Sequence, residues 1–223
     1  MSDFEWEEME LLYYKALDYG IELSEHQTNL FRIYLDELWT WNQRMNLTGL
    51  STREGMMIEL FLDSLIPAPF LPEKGSMLDV GSGAGFPGVP LKIYNPQLKI
   101  HLLETNSKKV SFLKQVIRLL GLNEIEVIKG RIEKDVSKLH PGGYRLITAR
   151  ALARLSQIIL WCAPLLSQKG LLVCFLGRRA HDELEETRRI MEEQGVVLHK
   201  VIPYLLPGKR SKRHAVILKR EAR

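Results

Sequence analysis

Apolar residues recur at helical spacing through the first third of the chain. Ser24 and Gln27 form a capping-box pattern, in which each side chain accepts from the backbone N–H group of the other residue. The apolar residues behind this box are Leu30, Ile33, Tyr34, Leu38 and Trp41. Ser51 and Glu54 repeat the box ahead of a second apolar series, so residues 1–66 are predicted to form a helical N-terminal part.

From residue 76 the pattern changes to short apolar runs that alternate with helical segments. The runs predicted as strands are Met77–Val80, Lys99–Glu104, Glu126–Lys129, Tyr144–Thr148 and Leu171–Leu176. One intervening helix has Ser107 at its start and Gly121 at its end. This alternation predicts a mostly parallel, twisted sheet with helices on both faces in residues 67–223.

Two further apolar runs, "VVLHKVIPYLL" and "HAVILKR", close the chain. Only "PGKRSKR" separates them, and this segment is too short for a crossover, so the last two strands should be antiparallel. A parallel sheet that ends in an antiparallel hairpin distinguishes methyltransferases that use S-adenosylmethionine (AdoMet) from most NAD-binding sheets. The predicted class is therefore α/β, a Rossmann-like class I AdoMet methyltransferase with an antiparallel final strand and a helical N-terminal part.

The glycine-rich stretch "LDVGSGAGFPGVPL" after the first strand fits two ligand-binding templates. Gly83, Gly85 and Gly88 give the spacing of a dinucleotide loop. Asp79, followed by Gly81, Gly83 and Gly85, gives the loop of AdoMet methyltransferases. An acidic residue suits the ammonium group of AdoMet and would repel a pyrophosphate, so the stretch favours AdoMet over NAD. A glycine-rich structural turn is the third interpretation.

Three further segments follow strands and are candidates for the ligand edge of the sheet. Glu104 ends the second strand, where a carboxylate can accept ribose hydroxyls of either cofactor, cap a helix or lie on the surface. Ile132 and Glu133, after the third strand, lie where an adenine would rest. Arg150 follows the fourth strand and is the candidate for positioning a ligand.

Basic residues gather at the same predicted edge, although the net charge is only +4. The candidates for binding RNA phosphates, after the fifth strand and in the hairpin turn, are Arg178, Arg179, Lys209, Arg210, Lys212 and Arg213. The alternative for Arg178 and Arg179 is that they cap the next helix or pair with its acidic residues, which are Asp182, Glu183 and Glu186.

Composition is that of an ordinary globular protein, with 223 residues of which 45% are hydrophobic and 26% are charged. The acidic start lacks the pattern of a signal peptide, and no apolar run approaches the roughly 20 residues of a membrane span. We therefore expect a cytoplasmic protein with no membrane partner. Cys162 and Cys174 lie apart in apolar runs, which predicts buried thiols and no metal site.

Motifs along nearly the whole chain resemble those of the bacterial small-subunit ribosomal RNA guanine-N7 methyltransferases, the RsmG (GidB) family. The motifs are "WNQRMNLTGL", "FLDSL", "LDVGSGAGFPGVPLKI", "GRIE", "TARAL" and "RHAVILKR". The resemblance implies AdoMet as cofactor and methyl transfer to N7 of a guanine in 16S ribosomal RNA. It also implies the small-subunit RNA, the ribosomal subunit or an assembly intermediate as partner.

Carried over to this chain, the resemblance implies that Gly81 and Phe86 contact AdoMet. It also implies that Ile132 and Glu133 flank the adenine, and that Arg150 lies by the methionine end or the substrate. The segment Asn46, Leu47 and Thr48 either fastens the helical part to the catalytic domain or forms a helix end and turn.

The chain departs from the family pattern at three places. It has Glu59, Leu60 and Phe61 ahead of "LDSL", where the family commonly has a histidine, Leu176 in place of a lysine, and Ile132 in place of an alanine. These changes bear on the RNA target more than on AdoMet. The competing hypotheses are an AdoMet methyltransferase for a protein or small molecule, an NAD-linked oxidoreductase, and a non-catalytic RNA-binding protein with a vestigial loop.

Overall fold

The computed structural model describes residues 3–221, and the side chains of all of these except residues 3–7 and 138. Met1, Ser2, Ala222 and Arg223, at the ends of the two predicted parts, lie outside the described residues. The α-helices are α1 (Asp3–Leu17), α2 (Glu25–Met45), α3 (Arg53–Met56), α4 (Asp63–Leu65), α5 (Gly88–Tyr94), α6 (Ser107–Leu119), α7 (Leu155–Cys162) and α8 (Ala180–Glu193), and a π-helix, Met57–Leu62, joins α3 to α4. Short 3-10 turns cover Ala68–Phe70, Val136–Lys138 and Ala163–Leu165.

The strands form one seven-stranded sheet in the order β3-β2-β1-β4-β5-β7-β6. Their bounds are β1 (Gly75–Val80), β2 (Leu98–Glu104), β3 (Ile125–Lys129), β4 (Tyr144–Arg150), β5 (Leu166–Leu176), β6 (Val196–Tyr204) and β7 (Arg213–Arg220). β7 is antiparallel to both of its neighbours, and the other pairs are parallel. The predicted fold class, including its antiparallel final strand, is confirmed.

Two local predictions need correction. β5 begins at Leu166 rather than Leu171, because polar residues and Gly170 interrupt its apolar pattern without ending the strand. The second helical segment is capped by Thr52, whose hydroxyl accepts from the Gly55 N–H at 3.1 Å, and not by Ser51. α6 does begin at Ser107, as predicted, and Asn106 before it is the N-cap.

The sheet separates two hydrophobic cores. Successive residues of β1 point to opposite faces, with Met77 in the core beneath the N-terminal helices, α5 and α6, and Leu78 in the core beneath α7 and α8. The first core continues across the predicted boundary between residues 66 and 67, so the helical part packs directly on the sheet layer. The division into 1–66 and 67–223 stays a prediction.

The "WNQRMNLT" segment ends α2 and also attaches that helix to the sheet domain. Asn46 adopts the left-handed conformation that terminates a helix, with φ of 48°, and the Asn42 side chain accepts from the Thr48 N–H at 2.7 Å. Leu47 is buried, and the ring of Trp41 meets that of Phe112 in α6 edge-on at 5.5 Å. The interpretation as a helix end and turn therefore holds for residues 46–48, whereas the contact with α6 comes from Trp41 earlier in the segment.

Candidate active site

The carboxyl ends of β2, β1 and β4 meet at one edge of the sheet. Val80 pairs with Ala149, so Gly81, which follows β1, adjoins Arg150, the last residue of β4. Glu104 ends β2 on the other side of β1 and pairs with the last residue of β3. The glycine loop, Glu104 and Arg150 are thus brought together as the sequence predicts.

The glycine loop is tight on its inner side and open on its outer side. Gly81, Gly83 and Gly85 all have positive φ, at 69°, 60° and 100°. A Cβ atom on Gly85 would lie 2.4 Å from the Tyr34 hydroxyl, whereas one on Gly83 would meet nothing closer than 3.9 Å. The backbone of Gly83 is therefore accessible from outside, as a loop that holds a ligand by its main chain requires.

Asp79 lies buried beneath the glycine loop. Its carboxylate is fully buried, accepting from the Thr148 hydroxyl at 2.7 Å and from the Gly88 N–H at 3.2 Å. Burial raises the pKa of this carboxyl to about 6, against the opposing effect of those hydrogen bonds. The sequence suggests that Asp79 contacts the ammonium group of AdoMet. In the structure its carboxylate instead accepts from the N–H group at the start of α5 and supports the glycine loop from below.

Glu104 lies beside the glycine loop but already has partners. Its Oε1 accepts from the N–H groups of Thr105 and Asn106, both at 2.7 Å, while Oε2 accepts only from the Gly83 N–H, at 2.8 Å. A carboxylate oxygen has two lone pairs, so Oε2 retains one for a hydroxyl of a ligand. The same carboxylate therefore orients the glycine loop and keeps one acceptor position.

The predicted adenine-contacting residues divide between core and surface. Ile132 is buried in the core beneath α7 and α8, and Glu133 is exposed. Their turn adjoins Glu104, whose backbone oxygen accepts from the Gly130 N–H at 3.1 Å. Phe86 is buried too, its ring stacked on Tyr34 with centroids 5.3 Å apart, so only its backbone is available to a ligand.

The two terminal nitrogens of the Arg150 guanidinium group differ in their contacts. Nη2 lies 3.2 Å from Asp63 Oδ2 and donates to the Glu59 backbone oxygen. Nη1 is buried and has no hydrogen-bond partner, the one side-chain nitrogen or oxygen of this kind among the described residues. A buried donor without an acceptor is costly, so this atom fits a ligand that supplies one.

The predicted RNA-binding cations differ in how they are paired. Arg178, Arg210 and Lys212 are exposed, and no ion pair to them is found among the described side chains. Arg179 instead pairs with two acidic residues of α8, Asp182 at 3.5 Å and Glu186 at 3.0 Å, as the alternative interpretation of the sequence has it.

Lys209 and Arg213 make intramolecular ion pairs with the π-helix. Glu59 lies 2.6 Å from Lys209 Nζ and 2.9 Å from Arg213 Nη2. Arg213 is the more enclosed of the two, with 29% of its side chain exposed against 44% for Lys209. The two cations therefore hold the final hairpin on the N-terminal part, which the sequence interpretation missed.

Asp63 and Tyr34 are the residues at this edge that sequence reasoning missed, and it also missed the ion pairs of Glu59 beside them. Asp63 carried a signal, since a carboxylate inside the apolar run "LFLDSL" must find a buried partner. For Tyr34, which donates from its hydroxyl to the Ala84 backbone oxygen in the glycine loop, the helical pattern gave no such signal.

Two expectations concern groups outside this edge. Cys162 and Cys174 are free and buried, as predicted. In the described part of the chain no group of three or more His, Cys, Asp or Glu side chains is placed to hold a metal ion, and no helix is long and apolar enough to cross a membrane.

Leu176, at the family's lysine position, is buried in the core beneath α7 and α8.

Comparison with known proteins agrees with this geometry. The family model described as rRNA small subunit methyltransferase G (GidB) matches residues 27–214. The chain belongs to this family. Membership confirms the predicted family and the predicted class of AdoMet-dependent methyltransferase, and it excludes the NAD-linked oxidoreductase.

Relatives that bear the name Ribosomal RNA small subunit methyltransferase G match most of the chain. The one from Alkaliphilus metalliredigens is 37% identical over 179 residues, which are 79% of this chain and 75% of the relative. The one from Acetivibrio thermocellus is 33% identical over 224 residues, covering 99% of this chain and 91% of the relative.

Solved structures share the fold at low sequence identity. A methyltransferase from Pyrococcus furiosus gives a TM-score of 0.60 at 13% identity, covering 87% of this chain and 100% of that one. TYW2 from M. jannaschii, solved in complex with AdoMet, gives a TM-score of 0.59 at 16% identity and covers 77% of each chain.

Proposed function

We propose that this protein transfers a methyl group from AdoMet to N7 of a guanine in 16S ribosomal RNA. The observation that carries the proposal is that one sheet edge combines an open glycine loop, a carboxylate with a spare acceptor position, a buried arginine donor and unpaired surface cations. The first three features suit AdoMet, and the last suits RNA. Family membership supports both halves of the proposal.

The residues that would hold AdoMet have distinct roles in this proposal. Gly81 and Gly83 offer backbone, Glu104 Oε2 offers an acceptor for a ribose hydroxyl, and Arg150 Nη1 offers a donor. Ile132 and Glu133 supply an apolar side chain and backbone groups at the adenine end, while Asp79, Gly85 and Phe86 fix the loop from within. Bound AdoMet supplies an electrophilic methyl group.

Guanine N7 is a methyl acceptor that needs no chemical activation by the protein. It carries a lone pair and no proton, so no general base is needed and alignment of the two reactants is the main contribution of the site. In an A-form helix N7 lies in a deep, narrow groove that side chains do not enter. We therefore expect the target guanine in an accessible loop or in an incompletely assembled subunit.

RNA binding is assigned first to Arg178, Arg210 and Lys212, because these exposed side chains make no ion pair with any described residue that a phosphate would have to displace. Arg179, Lys209 and Arg213 are secondary candidates whose present ion pairs would compete with phosphate. Because ribosomal subunits assemble in the bacterial cytoplasm, the cytoplasm is the proposed location. No membrane or metal partner forms part of the proposal.

The deciding experiment incubates the protein with methyl-labelled AdoMet and small ribosomal subunits, or their RNA, from cells that lack this activity. Nucleoside analysis then locates the label, and we expect it in N7-methylguanosine of 16S RNA. Label in another nucleoside would refute the assigned atom. AdoMet binding without transfer to RNA, followed by transfer to a protein or small molecule, would favour that competing hypothesis.

A further inference from the structure

One buried carboxylate joins the N-terminal part to three strands at the candidate site. Asp63 is 1% exposed, and its Oδ2 lies 3.2 Å from Arg150 Nη2. Its Oδ1 accepts from the Tyr204 hydroxyl at 2.8 Å and lies 3.1 Å from Arg213 Nη1. The carboxylate thus meets the end of β4, the end of β6 and the start of β7.

The helix geometry before Asp63 favours this arrangement. The segment Met57–Leu62 is a π-helix, a rare form that occurs frequently at functional sites. The Asp63 N–H donates to the carbonyl groups of Ile58 and Leu60. The Glu59 carbonyl, which would accept that N–H in an α-helix, accepts instead from Arg150 Nη2.

Both contacts made by this segment fall on the same nitrogen of Arg150. Asp63 and the Glu59 carbonyl hold Nη2, whereas Nη1 stays buried without a partner. A guanidinium group is a rigid planar fork, so fixing one nitrogen also fixes the direction of the other. The orientation of the free donor is therefore set by Asp63 together with the Glu59 carbonyl.

We propose that Asp63 is a positioning residue, which holds Arg150 so that Nη1 can donate to an acceptor of the bound ligand. The carboxylate of AdoMet is the chemical match for that donor. This inference rests on the proposed function for the identity of the ligand. Asp63 itself need not touch AdoMet or RNA, since its oxygens are engaged by Arg150, Arg213 and Tyr204.

Glu59→Gln is the matched control for Asp63→Asn. Both changes remove one carboxylate charge from neighbouring turns, and both remove an ion pair with Arg213. Glu59, however, touches Arg150 only through its backbone oxygen, which the substitution retains. Only Asp63→Asn removes a side-chain contact with Arg150.

The experiment measures the AdoMet dissociation constant by calorimetry without RNA, together with Tm, for both variants and for Asp63→Asn combined with Arg150→Gln. We expect Asp63→Asn to weaken binding about tenfold, as for the loss of one charge-assisted hydrogen bond, and Glu59→Gln to stay within about twofold of wild type. In the Arg150→Gln background, Asp63→Asn should weaken binding no further. The proposal would be overturned if Asp63→Asn and Glu59→Gln lost the same AdoMet affinity. It would also be overturned if Asp63→Asn weakened AdoMet binding as much in the Arg150→Gln background as in the wild type.

Two more variants keep the test decisive if Asp63→Asn folds poorly. Arg150→Lys can still pair with Asp63 but has no second nitrogen, so it should keep its Tm and lose as much AdoMet affinity as Arg150→Gln. Wild-type affinity in Arg150→Lys would refute the proposal. Asp63→Glu, which restores the charge one methylene further out, should recover part of the affinity that Asp63→Asn loses.

Steady-state methylation of ribosomal subunits separates this proposal from the proposed function. We expect Asp63→Asn to raise KM for AdoMet more than it lowers kcat, whereas a general loss of folded protein would lower kcat alone. If the wild type binds AdoMet and the calorimetric results hold but no RNA is methylated, the positioning role stands and the RNA function fails. If RNA is methylated but Arg150→Lys binds AdoMet normally, the RNA function stands and the positioning role fails.

Discussion

At the scale of single residues, Asp79 is a carboxylate that the fold shields from water at the base of the glycine loop. It accepts hydrogen bonds from Thr148 in β4 and Gly88 in α5. Removal from water raises its pKa from 3.8 to about 6, because burial disfavours the charged form more than its hydrogen bonds and the nearby Arg150 favour it. The loop is therefore supported by a group that titrates at mildly acidic pH.

Asp79 should make the stability of the protein fall as pH rises from about 4 to 6. In that range the folded protein binds a proton at Asp79 that the unfolded chain has already released, so the unfolding free energy decreases with pH. Relative to Asp79→Asn, which cannot titrate, the wild type should lose about 2 kcal/mol between about pH 4.5 and about pH 7. Denaturant unfolding of both proteins across this range measures the difference, and parallel curves would contradict the assignment.

Gly83 provides a direct test of the ligand face of the loop. Gly83→Ala and Gly121→Ala both place a methyl group on a residue with φ of 60°, and neither methyl group would meet an atom closer than 3.9 Å. Both should therefore cost the same conformational strain, about 1–2 kcal/mol. Gly83→Ala alone should weaken AdoMet binding, by at least about tenfold if its outer face holds the ligand. Equal AdoMet affinities of Gly83→Ala and Gly121→Ala in a calorimetric titration would show that AdoMet does not bind against Gly83.

At the scale of secondary-structure elements, α2 supports the glycine loop from the N-terminal side. Tyr34 is fully buried, donates to the Ala84 backbone oxygen and stacks on Phe86. Its hydroxyl also fills the space where a side chain at Gly85 would lie. The helical part and the loop are therefore one packed unit.

Tyr34→Phe should destabilise the protein and loosen the loop. Losing the hydroxyl leaves the buried Ala84 carbonyl without its donor, which costs about 1–3 kcal/mol of unfolding free energy and should weaken AdoMet binding severalfold. Tyr19→Phe is the control, since Tyr19 donates in the same way to the Leu205 carbonyl in an exposed setting. If the two variants match in both unfolding free energy and AdoMet affinity, α2 has no special role at the loop.

The elements could be predicted because each one is encoded locally. Alternation of apolar runs gave the strands, and the seven residues between the last two runs, too few for a crossover, gave the antiparallel hairpin. The cluster around Asp63 could not be predicted in this way, because its partners Arg150, Tyr204 and Arg213 lie far along the chain on three other elements. Only the fold decides which cations a buried carboxylate meets, and hence which surface cations are left for RNA.

At the scale of the whole molecule, charge is distributed unevenly around a small net value of +4. The start of the chain is acidic, whereas Arg178, Arg210 and Lys212, which have no ion pair in the described part of the chain, follow β5 or precede β7 at the ligand edge. Other exposed cations, such as Arg188 and Arg189 in α8, already pair with glutamates of the same helix. RNA should therefore be attracted to one edge rather than to the surface in general.

This asymmetry predicts how salt will affect RNA binding. Each phosphate contact that releases a counterion contributes about −0.7 to the slope of log K against log salt for single strands, and about −0.9 for duplexes. Replacing Arg178, Arg210 and Lys212 by glutamine should therefore make the slope less negative by about 2, while AdoMet affinity stays unchanged. A filter-binding series in salt with 16S RNA measures this slope.

The control removes the same charge from other surfaces. Lys99, near the opposite end of β2, and Arg188 and Arg189 are exposed residues in local ion pairs. Replacing these three by glutamine lowers the net charge equally, so any effect of net charge alone would appear in both triple variants. We expect the control to bind RNA with nearly the wild-type slope. Equal slopes in the two triple variants would mean that RNA binding depends on the net charge of the protein. That result would contradict the assignment of the ligand edge as the RNA-binding surface.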